Sequence, residues 1–193
     1  MKQGMRSAVT DQNGQEATRR DFIYIAAGGA VALGGAFTLW PFIDQMNPAA
    51  DTLALASIRI DTAAIETGEQ ITVNWRGGPV FLRRRTEDEI AEAEAVDVDS
   101  LPDPVARNDN LSADAPATEE NRSAGNGTLL IVKGNCTHLG CVPLGEAGDY
   151  DGWYCPCHGS HYDTAGRIRR GPAPENLGVP PLSWTSETEV QIG

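Results

Sequence analysis

The chain has 193 residues and a formal net charge of -12, which leaves room for one ordinary domain and an appendage. The charge is uneven, because residues 86–127 hold twelve acidic and two basic side chains while the rest is close to neutral. Nucleic-acid binding needs a basic footprint, so this balance excludes nucleic acid as a partner.

An uncharged run of 22 residues, 22–43, lies near the N-terminus. A helix of that length reaches about 33 Å, enough to cross a hydrocarbon core of about 30 Å. Basic residues precede the run and Asp44 closes it, which predicts a cytoplasmic N-terminus over 1–21 and the remainder outside. The sequence therefore predicts one transmembrane anchor over 22–43.

The residues at the start of this run, Thr18-Arg19-Arg20-Asp21-Phe22-Ile23, resemble a twin-arginine export signal, which directs folded proteins across a bacterial membrane. Cleavage after Ala54-Leu55-Ala56 is the alternative to a retained anchor, although that site lies eleven residues beyond the run. We expect the anchor to be retained and residues 44–56 to form a flexible tether.

Inside the anchor, small side chains recur at every fourth residue. They are Ala26, Ala30, Gly34 and Thr38. Such a stripe lets helices approach closely in lipid, which favours a membrane-embedded partner.

Short strand-like runs with frequent Gly and Pro follow and predict an all-β domain over 57–193. The runs are 71–75, 79–82, 129–132 and 190–192, the last interpreted as a final edge strand. The acidic segment 86–127 is predicted to be an insert in this domain. Thr86 and Glu89 form a capping box for a short helix that continues through 90–96, and 97–127 are expected to be an exposed loop.

All four cysteines and all three histidines of the chain lie within residues 136–161. The first box reads Cys136-Thr137-His138-Leu139-Gly140-Cys141 and the second reads Cys155-Pro156-Cys157-His158-Gly159-Ser160. Reduced to possible ligands, they give C-x-H, sixteen residues, then C-x-x-H. The softness of these ligands alone would admit zinc as well as an iron–sulfur cluster.

The two boxes resemble those of the Rieske family, in which two His replace two Cys on one iron of a [2Fe–2S] cluster. The resemblance implies that Cys136 and Cys155 bind one iron, and that His138 and His158 bind the other. It further implies a disulfide between Cys141 and Cys157, hydrogen bonds to the cluster from Ser160 and Tyr162, and a non-ligand role for His161 that is structural or solvent-facing. All of these positions lie within residues 136–162, and the motif shows no departure at any ligand position.

The resemblance continues to Gly171-Pro172-Ala173-Pro174, which is similar to the proline-rich loop that covers the cluster in this family. We call Gly171–Pro174 the proline loop, and the cluster-binding region is predicted to span 136–174. The implied fold has stacked antiparallel sheets with the cluster-binding loops at the tip.

Within the family, the doubled cysteines, the twin-arginine segment and the anchor resemble the subunit of the cytochrome bc1 complex. The resemblance implies electron transfer from ubiquinol to cytochrome c1 in a dimeric complex of the inner membrane, with the head in the periplasm. His158 would contact the quinol, and Leu139 would dock the tip against cytochrome b.

Three alternatives remain at this stage. One is the small Rieske subunit of another exported oxidoreductase, such as an arsenite oxidase. A zinc-bound adaptor domain has an adequate ligand set but leaves Cys141, Cys157, Ser160 and Tyr162 without a role. A Rieske oxygenase would need a further iron site, usually with two histidines, and only His161 remains beside the implied ligands.

Overall fold

The computed structural model describes residues 18–48 and 56–193. The chain divides into an N-terminal unit with one long helix and a C-terminal unit, the head, with the described strands. Two predicted segments extend beyond the described residues. Positions 1–17 of the predicted cytoplasmic N-terminus and 49–55 of the predicted tether lie outside them.

Helix α1 spans Arg19–Asp44 and contains the whole predicted span. Thr18 caps it, since its hydroxyl accepts from the amide of Asp21 while the carboxylate of Asp21 accepts from the amide of Thr18. The paired arginines therefore form the first turn of the helix. By length and composition, α1 is the one helix of the described residues that could cross a membrane.

The described part of the head contains ten short strands, which confirms the predicted all-β class. They are β1 Ile58–Asp61, β2 Gln70–Trp75, β3 Gly78–Arg84, β4 Leu129–Lys133, β5 Leu144–Gly145, β6 Asp151–Cys155, β7 Ser160–Asp163, β8 Ile168–Arg170, β9 Leu182–Trp184 and β10 Glu189–Ile192. They form three antiparallel sheets with the orders β1-β10-β9, β2-β3-β4 and β5-β6-β7-β8.

The sheet β2-β3-β4 is the middle layer, because its strands bury alternate residues in two different cores. One core takes Val80, Leu82, Leu129 and Ile131. The other takes Phe81, Leu130 and Val132, together with Cys136, Cys155 and Tyr162 from the two cysteine boxes. A strand covered on both faces reads as a continuous apolar run, as 129–132 does. The boxes therefore rest directly on a packed core.

The four predicted strand runs fall in β2, β3, β4 and β10. The edge position predicted for 190–192 is wrong, since β10 lies between β1 and β9. Both Val190 and Ile192 are buried, which fits a central strand. The sequence could not show this, because the partner β1 is more than a hundred residues away along the chain.

The acidic insert begins as predicted, with the capping box of Thr86 and Glu89 at helix α2, Glu87–Glu94. A short 3-10 turn, Val98–Ser100, and helix α3, Glu119–Arg122, follow. The expected exposed loop over 97–127 is wrong, because several of its side chains are buried in the head. They are Leu101, Asp103, Ala106, Ala115, Ala117 and Arg122.

Two buried arginines fasten this insert to the head. The guanidinium of Arg122 donates to the backbone carbonyls of Ala106, Ala165 and Gly166. The guanidinium of Arg167 donates to the carbonyls of Ala93 and Ala117 and forms an ion pair with Asp163. Side-chain-to-backbone bonds of this kind need no periodicity in the insert, so the sequence pattern did not reveal them.

Asp103 is a buried acid of the insert, with a relative exposure of 3%. Burial alone would raise the pKa of its carboxyl group. Hydrogen bonds from Arg107 and from the amides of Asn176 and Val105 outweigh burial and lower the pKa below its usual value of 3.8. The carboxylate form is therefore part of the folded structure.

Replacing Asp103 with Asn should lower the free energy of unfolding by about 2 kcal/mol at neutral pH, because charge-assisted hydrogen bonds are lost. The pKa of Asp103 is lower in the folded than in the unfolded chain, so its contribution is fully present above pH about 4 and is lost as the pH falls through the folded-state value. The difference in unfolding free energy between wild type and D103N, measured by denaturant titration, should become smaller below pH about 4.

The matched control is Asp114→Asn, which makes the same charge change at an exposed position of the same insert. It should leave the unfolding free energy nearly unchanged at each pH. If the unfolding free energy of the wild type exceeds that of D103N by the same amount down to pH about 2, the assigned role of the carboxylate is contradicted.

Candidate metal centre

The two cysteine boxes fold into turns of the same design. In the first, the amide of Gly140 donates to the carbonyl of Cys136 at 2.8 Å, and in the second, the amide of Gly159 donates to the carbonyl of Cys155 at 2.9 Å. Both glycines have a positive φ, +80° and +76°, a conformation that a residue with a Cβ adopts only under strain. The glycine four residues after the cysteine therefore closes each turn.

The second turn joins β6 to β7, with Cys155 and Ser160 as register partners. The first follows β4, and the amide of Cys136 donates to the carbonyl of Cys141 at 2.7 Å. Each turn places its leading cysteine in the core and its histidine outward. Cys136 and Cys155 are buried, His138 is half-buried and His158 is exposed.

The structure brings the predicted ligands together in pairs. The thiols of Cys136 and Cys155 are buried in the same core and interact electrostatically. The rings of His138 and His158 lie 4.7 Å apart between centroids and perpendicular to one another. His138 Nδ1 is buried and has no hydrogen-bond partner among the described residues. A buried imidazole nitrogen without a partner costs free energy unless a ligand satisfies it.

Cys141 and Cys157 form the predicted disulfide, which joins the two turns across a separation of 16 residues. Their sulfur atoms lie in one group with Cys155 Sγ, all within 4.8 Å of one another. A disulfide sulfur has no thiolate to offer a metal. The free thiols of the site therefore belong to Cys136 and Cys155.

Tyr162 directs its hydroxyl group at Cys136. Tyr162 Oη donates to Cys136 Sγ at 3.3 Å and accepts from the amide of Thr137. Burial, and then the bond to Cys136, raise the pKa of Tyr162, so the phenol remains a donor. The hydroxyl of Ser160, which is buried, accepts from the amide of Ala173 at 3.2 Å.

The two thiols differ electrostatically. Burial would raise the pKa of Cys136, but hydrogen bonds led by that of Tyr162 and of the His138 amide outweigh burial and lower it. Burial raises the pKa of Cys155, and its neighbour Cys136 raises it further. The surroundings of Cys136 therefore stabilise a sulfur atom that carries negative charge.

The proline loop packs against both turns. Gly171 has a φ of +110°, and a Cβ there would lie 2.5 Å from the carbonyl oxygen of Gly159. The hydroxyl of Thr137 donates to the carbonyl of Glu175, directly after the loop, at 2.7 Å. We did not single out Thr137 from the sequence; its place between the first cysteine and histidine of the box was the only signal.

His161 differs from the four candidate ligands in its hydrogen bonding. Its Nδ1 accepts from the amide of Asp149 at 3.1 Å, and its ring packs on that of Tyr154 at 4.8 Å between centroids. Because this nitrogen is already satisfied, the side chain has a structural role, in line with the expectation from the sequence.

Apolar side chains in and directly after the first cysteine box are exposed. Leu139, the residue predicted for docking, is 71% exposed, and Val142 and Leu144, which the sequence analysis missed, are 52% and 55% exposed. Large exposed apolar side chains in one short stretch of chain are candidates for a contact surface. We call these three residues the apolar tip.

Two family models match the chain. Residues 9–49 match "Ubiquitinol-cytochrome C reductase Fe-S subunit TAT signal", and residues 86–181 match "Rieske [2Fe-2S] domain". A solved chain titled "Hyperthermophilic respiratory Complex III" aligns with a TM-score of 0.48 at 24% identity, over 87% of this chain and 98% of that one. That alignment carries no argument about function.

Curated relatives match nearly the whole chain, and each is named "Ubiquinol-cytochrome c reductase iron-sulfur subunit". The protein of Cereibacter sphaeroides is 53% identical over 91% of this chain and 95% of its own length. That of Rhodospirillum rubrum is 54% identical over 93% and 94%, and that of Rickettsia felis 48% over 97% and 99%. The chain belongs to the family of ubiquinol-cytochrome c reductase iron-sulfur subunits and carries a Rieske [2Fe–2S] domain.

Proposed function

We propose that this chain is the Rieske electron-transfer subunit of a cytochrome bc1 complex. In this role it takes one electron and a proton from ubiquinol and passes the electron to cytochrome c1. The chain thereby serves the quinol–cytochrome c reductase activity and proton translocation of the complex. The observation that carries the proposal is the convergence of two free buried thiols and two facing imidazoles at one end of the head.

The side chains present fit a [2Fe–2S] cluster of the Rieske type. Cys136 and Cys155 would hold one iron, and His138 and His158 the other, in the arrangement that defines such centres. The unpartnered Nδ1 of His138 supplies an independent indication, because a buried ring nitrogen left without a hydrogen-bond partner suits a metal ligand. The disulfide keeps the remaining two cysteines out of the ligand set.

When bound, such a cluster accepts single electrons at about -150 to +300 mV, since neutral imidazole replaces thiolate on one iron. The hydroxyl of Tyr162 acts on this range by donating to the sulfur of Cys136. Donors to sulfur favour the more negative, reduced state and raise the potential. We therefore expect the potential to lie toward the upper end of this range, which suits acceptance of an electron from a quinol.

His158 is the exposed imidazole of the pair and therefore the group that can meet a quinol. One ring nitrogen would bind iron, and the other remains free to accept a hydrogen bond and a proton from the quinol hydroxyl. Leu139, Val142 and Leu144 add exposed apolar surface in and directly after the first cysteine box, which suits docking against cytochrome b.

The N-terminal unit supports membrane attachment. Helix α1 is long and apolar enough to act as a retained single-pass anchor in the inner membrane. Arg19 and Arg20 at its start favour a cytoplasmic N-terminus and a periplasmic head. Cytochrome b and cytochrome c1 are the partners that this placement serves, within a dimeric complex.

The relatives do not favour the Rieske subunit of an arsenite oxidase as the alternative. They match from the N-terminal segment through the head, and all carry the reductase name. A zinc adaptor would leave the hydroxyl donor of Tyr162 without a purpose.

The ligand assignment is tested by histidine replacement in the full chain, expressed with its complex in membranes. His158→Ala and His138→Ala should each abolish the electron paramagnetic resonance signal of the reduced [2Fe–2S] centre, because one iron loses a nitrogen ligand. His161→Ala is the matched control and should keep the signal. Purified wild type should contain about two iron atoms and two sulfides per chain.

The proposed contact with quinol is tested by the same spectroscopy in the same membranes. A quinol-site inhibitor should change the line shape of the wild-type signal. A signal indifferent to the inhibitor would contradict the quinol role, and zinc in place of iron would contradict the cluster itself.

Removing the phenolic donor should lower the midpoint potential. Tyr162→Phe deletes the hydrogen bond to Cys136, and a bond of about 1 kcal/mol corresponds to roughly 50 mV for a one-electron couple. Tyr154→Phe is the matched control, because its ring packs on His161 instead. Potentiometric titration measures the midpoint potential of both variants. An equal shift of the midpoint potential in both would count against the assigned donor.

The disulfide should stabilise the cluster-binding turns. For a loop of 16 residues the chain-entropy model gives about 3 kcal/mol. The double variant Cys141→Ala/Cys157→Ala should therefore lose its cluster at a lower temperature, followed by visible absorbance during heating. Reduction of the wild type should reproduce this loss, and an unchanged temperature of cluster loss would refute the clamping role.

A further inference from the structure

Asn176 is a buried hub between the acidic insert and the residues that follow the proline loop. Its side-chain amide donates to the carbonyls of Asp103 at 3.0 Å and Val105 at 2.7 Å. Its backbone amide donates to the carboxylate of Asp103 at 2.9 Å, and its side-chain oxygen accepts from Ile168. Asn176 has a relative exposure of 1%, so each of these bonds is shielded from water. We call residues 103–107 of the insert the clamp segment.

A second, surface contact joins the same two parts of the chain. Arg107 binds the carboxylate of Asp103 at 2.9 Å and that of Glu175 at 3.2 Å. The backbone of Arg107 has a φ of +49°, which is uncommon for a residue with a side chain. Its carbonyl accepts from the amide of Val179 at 2.9 Å, so the surrounding bonds hold this conformation.

The proline loop has little means of holding itself in place. Pro172 and Pro174 have no N–H group, so the loop cannot form a hydrogen-bonded ladder of its own. The amides of Ala173 and Glu175 donate outward, to the hydroxyls of Ser160 at 3.2 Å and Thr137 at 3.4 Å. The position of the loop therefore depends on its neighbours on both sides.

These outward bonds orient the hydroxyl donors of the site. Because Ser160 Oγ accepts from Ala173, its own proton is left for another partner at the site. Thr137 Oγ1 donates to the carbonyl of Glu175, and the amide of Thr137 donates to Tyr162 Oη. The proton of Tyr162 is then directed to Cys136 Sγ.

We propose that the clamp segment of the acidic insert is a positioning element for the metal centre. Through Asn176 and Glu175 it holds the proline loop down, and the loop in turn orients the hydroxyl of Ser160 and directs that of Tyr162 toward Cys136. The insert thereby contributes to the potential without touching a ligand. The redox consequence rests on the proposed function, whereas the clamping of the loop does not.

The first experiment measures amide hydrogen exchange in the full-length chain. Arg107→Gln removes the ion pairs with Glu175 and Asp103, and Glu175→Gln removes only the pair between Arg107 and Glu175. In both variants the backbone amides at positions 173 and 175 should exchange about twofold to fivefold faster. The amide of Ile131 in the middle sheet should keep its wild-type rate and serves as the check on folding. The double variant should exchange no faster than Arg107→Gln, since that single variant already lacks the pair with Glu175.

Matched controls come from a second ion pair between the insert and the head. Lys133 Nζ binds the carboxylate of Asp109 at 2.8 Å, with similar exposure, and does so without contacting the proline loop. Lys133→Gln repeats the charge change of Arg107→Gln, and Asp109→Asn repeats that of Glu175→Gln. Neither control should alter exchange at positions 173 and 175.

The second experiment measures the midpoint potential of the cluster in the variant Asn176→Ser, which loses both side-chain N–H donors. The equilibrium constant for reduction of its cluster should fall about threefold, less than for loss of a whole hydrogen bond. Wild-type exchange rates at 173 and 175 in R107Q and E175Q would overturn the clamp. Faster exchange in Asn176→Ser at an unchanged potential would overturn the orientation of the hydroxyls. A wild-type chain without a [2Fe–2S] signal would refute the proposed function alone, because the exchange measurement does not need the cluster.

Discussion

The structure depends on holding two turns from distant parts of the sequence face to face. Each turn can form locally, because a glycine with positive φ closes it four residues after a cysteine. Nothing local, however, determines the distance between the turns. The middle sheet fixes this distance through the core, in which Cys136 and Cys155 pack with Phe81 and Leu130. The disulfide fixes it by a covalent bond between the turns. Both are needed because the four candidate ligand side chains gain little from proximity to one another without a metal.

The buried arginines solve a related problem for the insert. A segment with twelve acids cannot be held by apolar burial alone, and its strand and helix content is small. Arg122 and Arg167 instead reach across the chain and donate hydrogen bonds to backbone carbonyls of other segments. The insert therefore becomes part of the rigid head, and residues 103–107 can transmit that rigidity to the proline loop.

The predictions from sequence succeeded where the chemistry is local. The two boxes, the capping box at Thr86 and the alternation in β2 each depend on residues within a few positions of one another. The errors, an edge position for β10 and an exposed loop over 97–127, concern contacts between distant segments. Neither the pairing of Ile58 with Ile192 nor the bond of Arg122 to Ala165 leaves a periodic signal. Asn176 was missed for the same reason, since its partners lie some seventy residues earlier.

The burial of the proposed ligands also constrains how the head can work. The thiols of Cys136 and Cys155 lie in the core, whereas the imidazole of His158 and the side chain of Leu139 are exposed. In the proposed role, the exposed histidine side is therefore the side on which the head would meet both a quinol site and cytochrome c1. The same side could not be docked against both at once, so the head would meet its two partners in turn. The apolar tip would then have to bind the first partner weakly enough to release it, which three exposed aliphatic side chains permit and a large apolar interface would not.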